Sequence, residues 1–139
     1  MSARADRRTF LFALAGLAAL APPVRAADEA RRAELIMVER DGCPWCQRWH
    51  QEVGVGYPKS EEGMRAPLRV LRSADPVAIG ANLKAPVTMA PTFVLVSGGR
   101  EVGRIVGYPG AEFFYGLLEE LLKKLDRAAA AELPLVFKL

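Results

Sequence analysis

An apolar run leads into the only two cysteines of the chain in the segment Leu35-Ile36-Met37-Val38-Glu39-Arg40-Asp41-Gly42-Cys43-Pro44-Trp45-Cys46. Residues 35–39 predict a short buried strand, and Asp41-Gly42 predicts the turn that ends it. Residues 43–53 predict the first helix, since Pro44 is tolerated where backbone N–H groups have no partner inside the helix. Both sulfurs would lie in the first helical turn. Unpaired N–H groups and the helix dipole there favour a thiolate, the reactive form of cysteine.

The rest of the chain predicts alternating strands and helices. Residues 68–71 predict a second strand, residues 75–83 a short helix, and residues 89–96 and 101–106 the two strands of a hairpin. Residues 111–127 predict the longest helix. Its apolar stripe consists of Phe113, Phe114, Leu117, Leu118, Leu121, Leu122 and Leu125. This order predicts an α/β fold with a central mixed sheet of about four strands flanked by helices.

The N-terminal residues 1–26 predict an export signal. Three arginines are followed by an apolar run of 12 residues at positions 10–21, and Val24-Arg25-Ala26 has the pattern of a cleavage site. The run is shorter than the roughly 20 residues that span a bilayer. We therefore expect a cleaved signal peptide, a periplasmic location and no stable membrane insertion after cleavage. An uncleaved N-terminal anchor is the alternative.

The route of export stays open between the Sec and twin-arginine pathways. Arg7-Arg8-Thr9-Phe10-Leu11 resembles a twin-arginine signal, but paired arginines also occur in ordinary signals. The predicted organisation is a signal peptide at residues 1–26, one domain at residues 27–127 and a C-terminal tail at residues 128–139.

The charge of the chain argues against a nucleic-acid partner. The formal net charge is +3, but the whole excess lies in the predicted signal. The remaining residues carry 15 basic and 15 acidic side chains, so they have no formal net charge. Nucleic-acid binding requires a concentrated basic face, and we expect none here.

Three features at fixed spacing resemble the thioredoxin-like superfamily. The first is C-x-x-C after a predicted strand. The second is Ala90-Pro91-Thr92, which looks like the cis-proline loop of that superfamily. The third is a pair of glycines, Gly99 and Gly107, which follow Pro91 in two steps of eight residues. The resemblance implies a thioredoxin-like fold over nearly all of the mature chain.

A narrower resemblance is to the SoxS type, the periplasmic thioredoxin-like proteins of sulfur-oxidation systems. The segments that carry it are residues 41–46, Trp49-His50, residues 54–59, residues 103–105 and residues 107–110. It implies a thiol–disulfide oxidoreductase that reduces protein disulfides or cysteine-bound sulfur, and whose partner is a sulfur-carrier protein trapped as a disulfide. In an oxidising compartment such a reductase needs an electron donor, expected to be a membrane thiol-transfer protein.

The candidate site residues follow from this interpretation. Cys43 is the expected nucleophile and Cys46 the resolving thiol. Pro44 and Trp45 lie between them, and Trp45 is a candidate contact for the partner. Pro91 is expected to be cis, which would leave the backbone of Ala90 to pair with an incoming peptide. No cofactor is expected beyond the Cys43–Cys46 dithiol or disulfide.

Two other interpretations of the cysteines remain open, a structural disulfide and a metal site that would hold zinc or copper. A structural disulfide is disfavoured because so short a loop gives little entropic stabilisation. A zinc site would need four ligands, whereas Cys43, Cys46 and His50 supply three. The alternative to an oxidoreductase is a non-catalytic copper-binding or copper-delivery module, because copper binds soft ligands such as thiolates and thioethers. Its methionine ligands would be Met37, Met64 or Met89.

The chain also departs from the thioredoxin pattern. Met37 occupies the position of the buried carboxylate six residues before the first cysteine. Gly42 replaces the usual tryptophan, and Gln51 replaces the proline that kinks the helix. The missing carboxylate leaves the proton-transfer step without its usual residue. Glu39 and His50 are candidates to replace it, although His50 is expected to act on the Cys43 thiol only from a distance.

Overall fold

The computed structural model describes residues 32–72 and 74–131, and within them one mixed sheet. Its strands are β1 (Ala33–Val38), β2 (Leu68–Leu71), β3 (Thr92–Ser97) and β4 (Arg100–Val106), in the spatial order β2-β1-β3-β4. β2 runs parallel to β1, and β3 runs antiparallel to both β1 and β4. The predicted mixed sheet of about four strands is confirmed.

Four α-helices lie in the described residues. They are α1 (Pro44–Trp49), α2 (Glu61–Arg65), α3 (Pro76–Ile79) and α4 (Ala111–Ala131). A π-helical turn (His50–Gly54) continues α1, and a 3-10 helix (Tyr57–Lys59) precedes α2. The predicted alternation of strands and helices, with a hairpin and a long covering helix, is confirmed.

Several predicted boundaries are wrong by a few residues. β1 spans Ala33–Val38 rather than residues 35–39, and β3 begins at Thr92, after the proline. The first helix begins at Pro44, because Cys43 has an extended backbone and caps it. α3 ends early because Gly80 adopts a left-handed conformation (φ 68°). α4 continues to Ala131, so the first residues of the predicted tail are helical.

The two faces of the sheet have different cores. On one face an aromatic cluster forms around Trp49, Phe93 and Phe114, with ring centroids 4.8–5.6 Å apart. On the other face, aliphatic side chains of β1 and β3 pack against Ile79 and Val87. β1 is apolar on both sides because both faces of the sheet are covered.

The predicted stripe of α4 is partly wrong. Phe114, Leu118 and Leu122 are buried at spacings of four residues, as a core-facing line requires. Phe113 and Leu117 are 70% and 46% exposed. Seven residues cover a wider arc of the helix than the sheet can contact, so this edge of the stripe faces solvent.

The segments that carry the candidate site leave one end of the sheet. Val38, the last residue of β1, pairs with both Leu71 and Thr92, and Thr92 also pairs with Val106. The loop before Cys43, the start of the loop after β2, the Pro91 loop and the Gly107 loop therefore meet at that end. The backbone N–H of Gly107 donates to the carbonyl of Pro91 at 2.7 Å.

Two sequence predictions fall outside the described residues. The signal peptide at residues 1–26 is one, and residues 132–139 of the tail are the other. Within the described part of the chain, no helix has both the length and the apolar composition that crossing a bilayer requires.

Candidate active site

The two cysteines form a disulfide at the start of α1, with Cα atoms 5.3 Å apart. Cys43 is the N-cap, and its Sγ accepts a hydrogen bond from the backbone N–H of Cys46 at 3.2 Å. Cys43 is half-buried, whereas Cys46 is only 2% exposed. An approaching molecule can thus reach the Cys43 residue more readily than Cys46. The roles of nucleophile and resolving thiol stay predictions.

The two residues between the cysteines face solvent. Pro44 is the first residue of α1, as predicted. The Trp45 side chain is 54% exposed, and the Arg48 guanidinium lies 5.8 Å from the centre of its ring. Trp45 is therefore available for contact with another molecule beside the reachable sulfur.

The Ala90–Pro91 peptide bond is cis, as the sequence predicts. Pro91 is buried, Ala90 is half-buried, and Met89 is exposed just before them. Because β1 and β3 are antiparallel neighbours paired at Val38 and Thr92, this loop and the cysteine loop lie at the same end of the sheet.

A cavity of about 210 Å³ opens beside the cysteine pair. A neighbouring cavity of about 340 Å³ reaches Ala90 and shares Glu39, Arg40 and Arg72 with the first. The cysteines and the Ala90 side of the cis-proline loop thus border two neighbouring cavities that share three lining residues, here together called the recess. The cavity beside the cysteines is lined by Glu39, Arg40, Asp41, Gly42, Cys43, Cys46, Gln47, His50 and Arg72.

An ionic group, here called the cavity cluster, lines this recess and consists of Glu39, His50, Arg72 and Asp41. Oε2 of Glu39 lies 2.7 Å from Nε2 of His50, and its Oε1 lies 3.4 Å from Nε of Arg72. Arg72 also donates to Asp41 at 3.0 Å. The structure thus joins the two residues that the sequence offered separately as replacements for the missing carboxylate.

The expectation that His50 acts only from a distance was based on its separation from Cys43. His50 follows Cys46 by four residues, and its backbone N–H donates to the backbone carbonyl of Cys46. Residues spaced by four are neighbours on one face of a helix. The helical spacing from the second cysteine was the signal that sequence reasoning missed.

A second ionic group, here called the loop cluster, was not predicted and lies on another side of α1. It consists of Arg48, Glu52 and Tyr108: Glu52 accepts from Arg48 Nε at 2.7 Å and from the Tyr108 hydroxyl at 2.6 Å. The hydrogen bond from Tyr108, followed by that from Arg48, lowers the pKa of Glu52. Burial, followed by the bond to Glu52, raises the pKa of Tyr108 to about 12.

The methionines considered as copper ligands are spread over the fold. Met37 is buried in the core beside Cys46, while Met64 and Met89 are exposed. Among the described residues, no group of three or more His, Cys, Asp or Glu side chains is arranged to hold a metal ion.

Comparisons with known proteins identify the fold family. The thioredoxin-like domain family matches residues 23–122. The chain is 43% identical to the periplasmic thioredoxin SoxS of Paracoccus pantotrophus, solved in its reduced form. That match has a TM-score of 0.63 and covers 66% of this chain and 97% of SoxS.

A second solved structure is the thioredoxin Mala s 13 of Malassezia sympodialis. It is 16% identical, with a TM-score of 0.45, and the match covers 68% of this chain and 76% of that one. No curated protein matches the sequence. The family match covers most of the chain and includes the C-x-x-C pair, which is of the redox type. The chain belongs to the thioredoxin-like domain family.

Proposed function

We propose that this protein is a periplasmic thiol–disulfide oxidoreductase that reduces disulfides or cysteine-bound sulfur on a partner protein. The observation that carries the proposal is the unequal burial of two bonded cysteines at the start of a helix. Cys43 is half-buried, whereas Cys46 is only 2% exposed. A structural disulfide between the same residues would need no reachable sulfur, because it would exchange with nothing.

The reaction starts from the reduced pair and proceeds in two exchanges. The thiolate of Cys43 attacks one sulfur of the partner disulfide, which releases one partner thiolate and forms a mixed disulfide. Cys46 then attacks the sulfur of Cys43, breaks the mixed disulfide and releases the second partner thiolate. Two electrons pass to the partner, and the Cys43–Cys46 disulfide is the product on this chain.

Docking of the partner is proposed at the surface between Trp45 and the cis-proline loop. Trp45 offers an exposed ring beside Cys43, and Met89 offers an exposed apolar side chain before Ala90. A partner segment in extended conformation would pair with the backbone at Ala90, as peptides do when they add to the edge of a sheet. Pro44 and Pro91 would border this segment without donating hydrogen bonds to it.

The likeness to SoxS supports the choice of partner and compartment. By analogy, the partner is a sulfur-carrier protein whose reactive cysteine has become trapped as a disulfide. A reductase in an oxidising compartment must be recharged, so the proposal includes a membrane thiol-transfer protein as electron donor.

The proposed function is tested by reduction of insulin with dithiothreitol as the electron source, together with the reduction potential of the pair. We expect the wild type to accelerate insulin reduction and Cys43→Ser to be inactive. We expect a reduction potential below about −250 mV. A value near about −120 mV would identify an oxidant and contradict the reductase direction.

A further inference from the structure

We propose that Glu39 and His50 exchange the proton of Cys46 when that thiol resolves a mixed disulfide. This inference rests on the proposed function, since it concerns the second exchange at the same cysteine pair. The carboxylate and the imidazole lie 2.7 Å apart and line the cavity that also reaches Cys46.

Cys46 needs a group that accepts its proton. Its side chain is 2% exposed, and the core around it contains Met37, Trp49 and Phe93. An apolar surrounding disfavours the thiolate, yet only the thiolate attacks a disulfide. These core neighbours have no basic group, so the acceptor must come from the cavity side.

Every element around the cavity contributes titratable or charged groups to it. The loop after β1 supplies Glu39, Arg40 and Asp41, the residue after β2 is Arg72, α1 supplies the cysteines, and the π-helical turn supplies His50. An arginine stays protonated at any ordinary pH and accepts nothing. The Asp41 side chain is 87% exposed and bound to Arg72. Glu39 and His50 are the remaining acceptors.

Chain geometry directs both groups toward Cys46. His50 follows Cys46 by four residues and so projects from the same side of the helix. Glu39 follows Met37 by two residues, and its N–H continues the ladder to β2 by donating to Leu71 at 2.8 Å. Alternation along a strand places Glu39 on the face of Met37, which is the face that packs against Cys46.

The pair is suited to taking up one more proton. At 2.7 Å, one proton already lies between the carboxylate and the imidazole. An imidazole has two ring nitrogens, so one can hold the shared proton while the other accepts a second one. The carboxylate side chain is 13% exposed and the imidazole 42%, so the pair lines the same cavity as the buried Cys46 and also reaches solvent. The cavity, at about 210 Å³, has room for water to carry a proton across it.

The proton balance of the step is as follows. In the mixed disulfide the Cys46 thiol gives its proton to the Glu39–His50 pair and becomes a thiolate. The thiolate bonds to Sγ of Cys43, and the bond from Cys43 to the partner sulfur breaks. The partner sulfur leaves as a thiolate, and the pair returns the extra proton to it or to solvent.

The test separates the two exchanges with dithiobis(nitrobenzoate), an aromatic disulfide with a coloured thiolate. Mixed rapidly with the reduced protein, it releases one thiolate when Cys43 attacks and a second when Cys46 resolves. We expect Glu39→Gln and His50→Gln each to slow the second release at least about tenfold at neutral pH, because a positioned proton acceptor typically contributes roughly a hundredfold or more. The rate of the first release should change less than about twofold. The inflection in the pH dependence of the second rate should move or disappear.

Glu34→Gln is the matched control. It removes a carboxylate of β1 that is bound to Arg69 and does not line the cavity. The rates of its two phases should equal those of the wild type.

A normal first phase in Glu39→Gln shows that the variant is folded. If Glu39→Gln does not fold, His50→Gln alone provides the test. The inference is overturned if both variants keep the second rate and its pH profile, or if both phases fall by one factor. The reagent is not a protein, so loss of insulin reduction with normal phases would count against the proposed function alone.

Discussion

The cavity cluster and the loop cluster each contain an ion-paired carboxylate, but the two carboxylates face different parts of the molecule. Glu39 in the cavity cluster and Glu52 in the loop cluster each bind a ring-bearing side chain and an arginine. The cavity cluster borders the recess that reaches both cysteines. Glu52 instead joins the turn after α1 to Tyr108, in the loop that follows β4.

This difference in location gives the two carboxylates, which are chemically alike, different roles. A carboxylate that shares a cavity with a buried thiol can exchange protons with it. A carboxylate that binds a hydroxyl across the surface of the fold fastens two elements together. Because Gly107 donates to Pro91, the bond from Glu52 to Tyr108 also ties α1 to the cis-proline loop. Location relative to the recess, rather than residue type, therefore predicts function.

The largest expected effect is a failure of additivity within the cavity cluster. Glu39→Gln and His50→Gln should each slow Cys46 resolution at least about tenfold, and the double variant should be little slower than either one. Residues that act as a unit behave in this way. Combining Glu39→Gln with Glu52→Gln should instead give the resolution rate of Glu39→Gln alone, because Glu52 does not line the cavity beside the cysteines. If the losses in rate multiply in the Glu39→Gln/His50→Gln double variant, or if Glu52→Gln slows resolution further, the distinction between the clusters is contradicted.

An intermediate effect is expected from the loop cluster, on stability rather than on rate. Tyr108→Phe should lower the melting temperature by about 4 °C, because it removes a hydrogen bond to a charged group. Thermal unfolding followed by circular dichroism measures this. Tyr115→Phe is the control, since within the described residues that hydroxyl has no hydrogen bond. An unchanged melting temperature in Tyr108→Phe would show that Glu52 does not fasten this loop.

The stabilisation by Glu52 should also depend on pH in a definite direction. Because the pKa of Glu52 is lowered in the folded protein, its contribution is complete above the ordinary value of 4.5 and is lost as the pH falls through the folded value. The difference in melting temperature between the wild type and Glu52→Gln should therefore shrink in acid. A difference that grows below pH 4.5 would contradict the sign of the shift.

The smallest expected effect concerns how the loop cluster presents Trp45. Arg48→Ala should raise KM for a protein disulfide about two- to fivefold, the value of one exposed cation–π contact. The rate with a small aromatic disulfide should not change, because that molecule does not need the docking surface. Arg65→Ala, which breaks a comparable exposed ion pair with Asp126, should leave both values unchanged. Equal losses with both substrates would instead indicate damage at Cys43.

Local signals made part of this fold predictable from sequence. A strand before C-x-x-C, a proline entering a strand and glycines at fixed steps each depend on a few adjacent residues. The orientation of α4 was less predictable: its seven-residue stripe showed a helix but not which edge meets the sheet. Phe113 and Leu117 belong to the stripe but lie on the edge that faces solvent.

The ionic groups around the site were less accessible to sequence reasoning because their members lie far apart in the chain. Glu52 and Tyr108 are 56 residues apart, and no local pattern links them. Glu39 and His50 are 11 residues apart, on a strand end and a helical turn. Each was a candidate alone, but only the packing of α1 on the sheet shows that they form one pair.

The most direct test of the account is to capture the mixed disulfide that its mechanism requires. Cys46→Ser and Cys43→Ser, each reduced, would be mixed with a disulfide-bonded protein, and the intact products weighed by mass spectrometry. The account predicts a covalent complex through Cys43 that persists in Cys46→Ser and is absent in Cys43→Ser. Equal capture by both variants, or none by either, would contradict the assignment of Cys43 as the attacking sulfur and Cys46 as the releasing one.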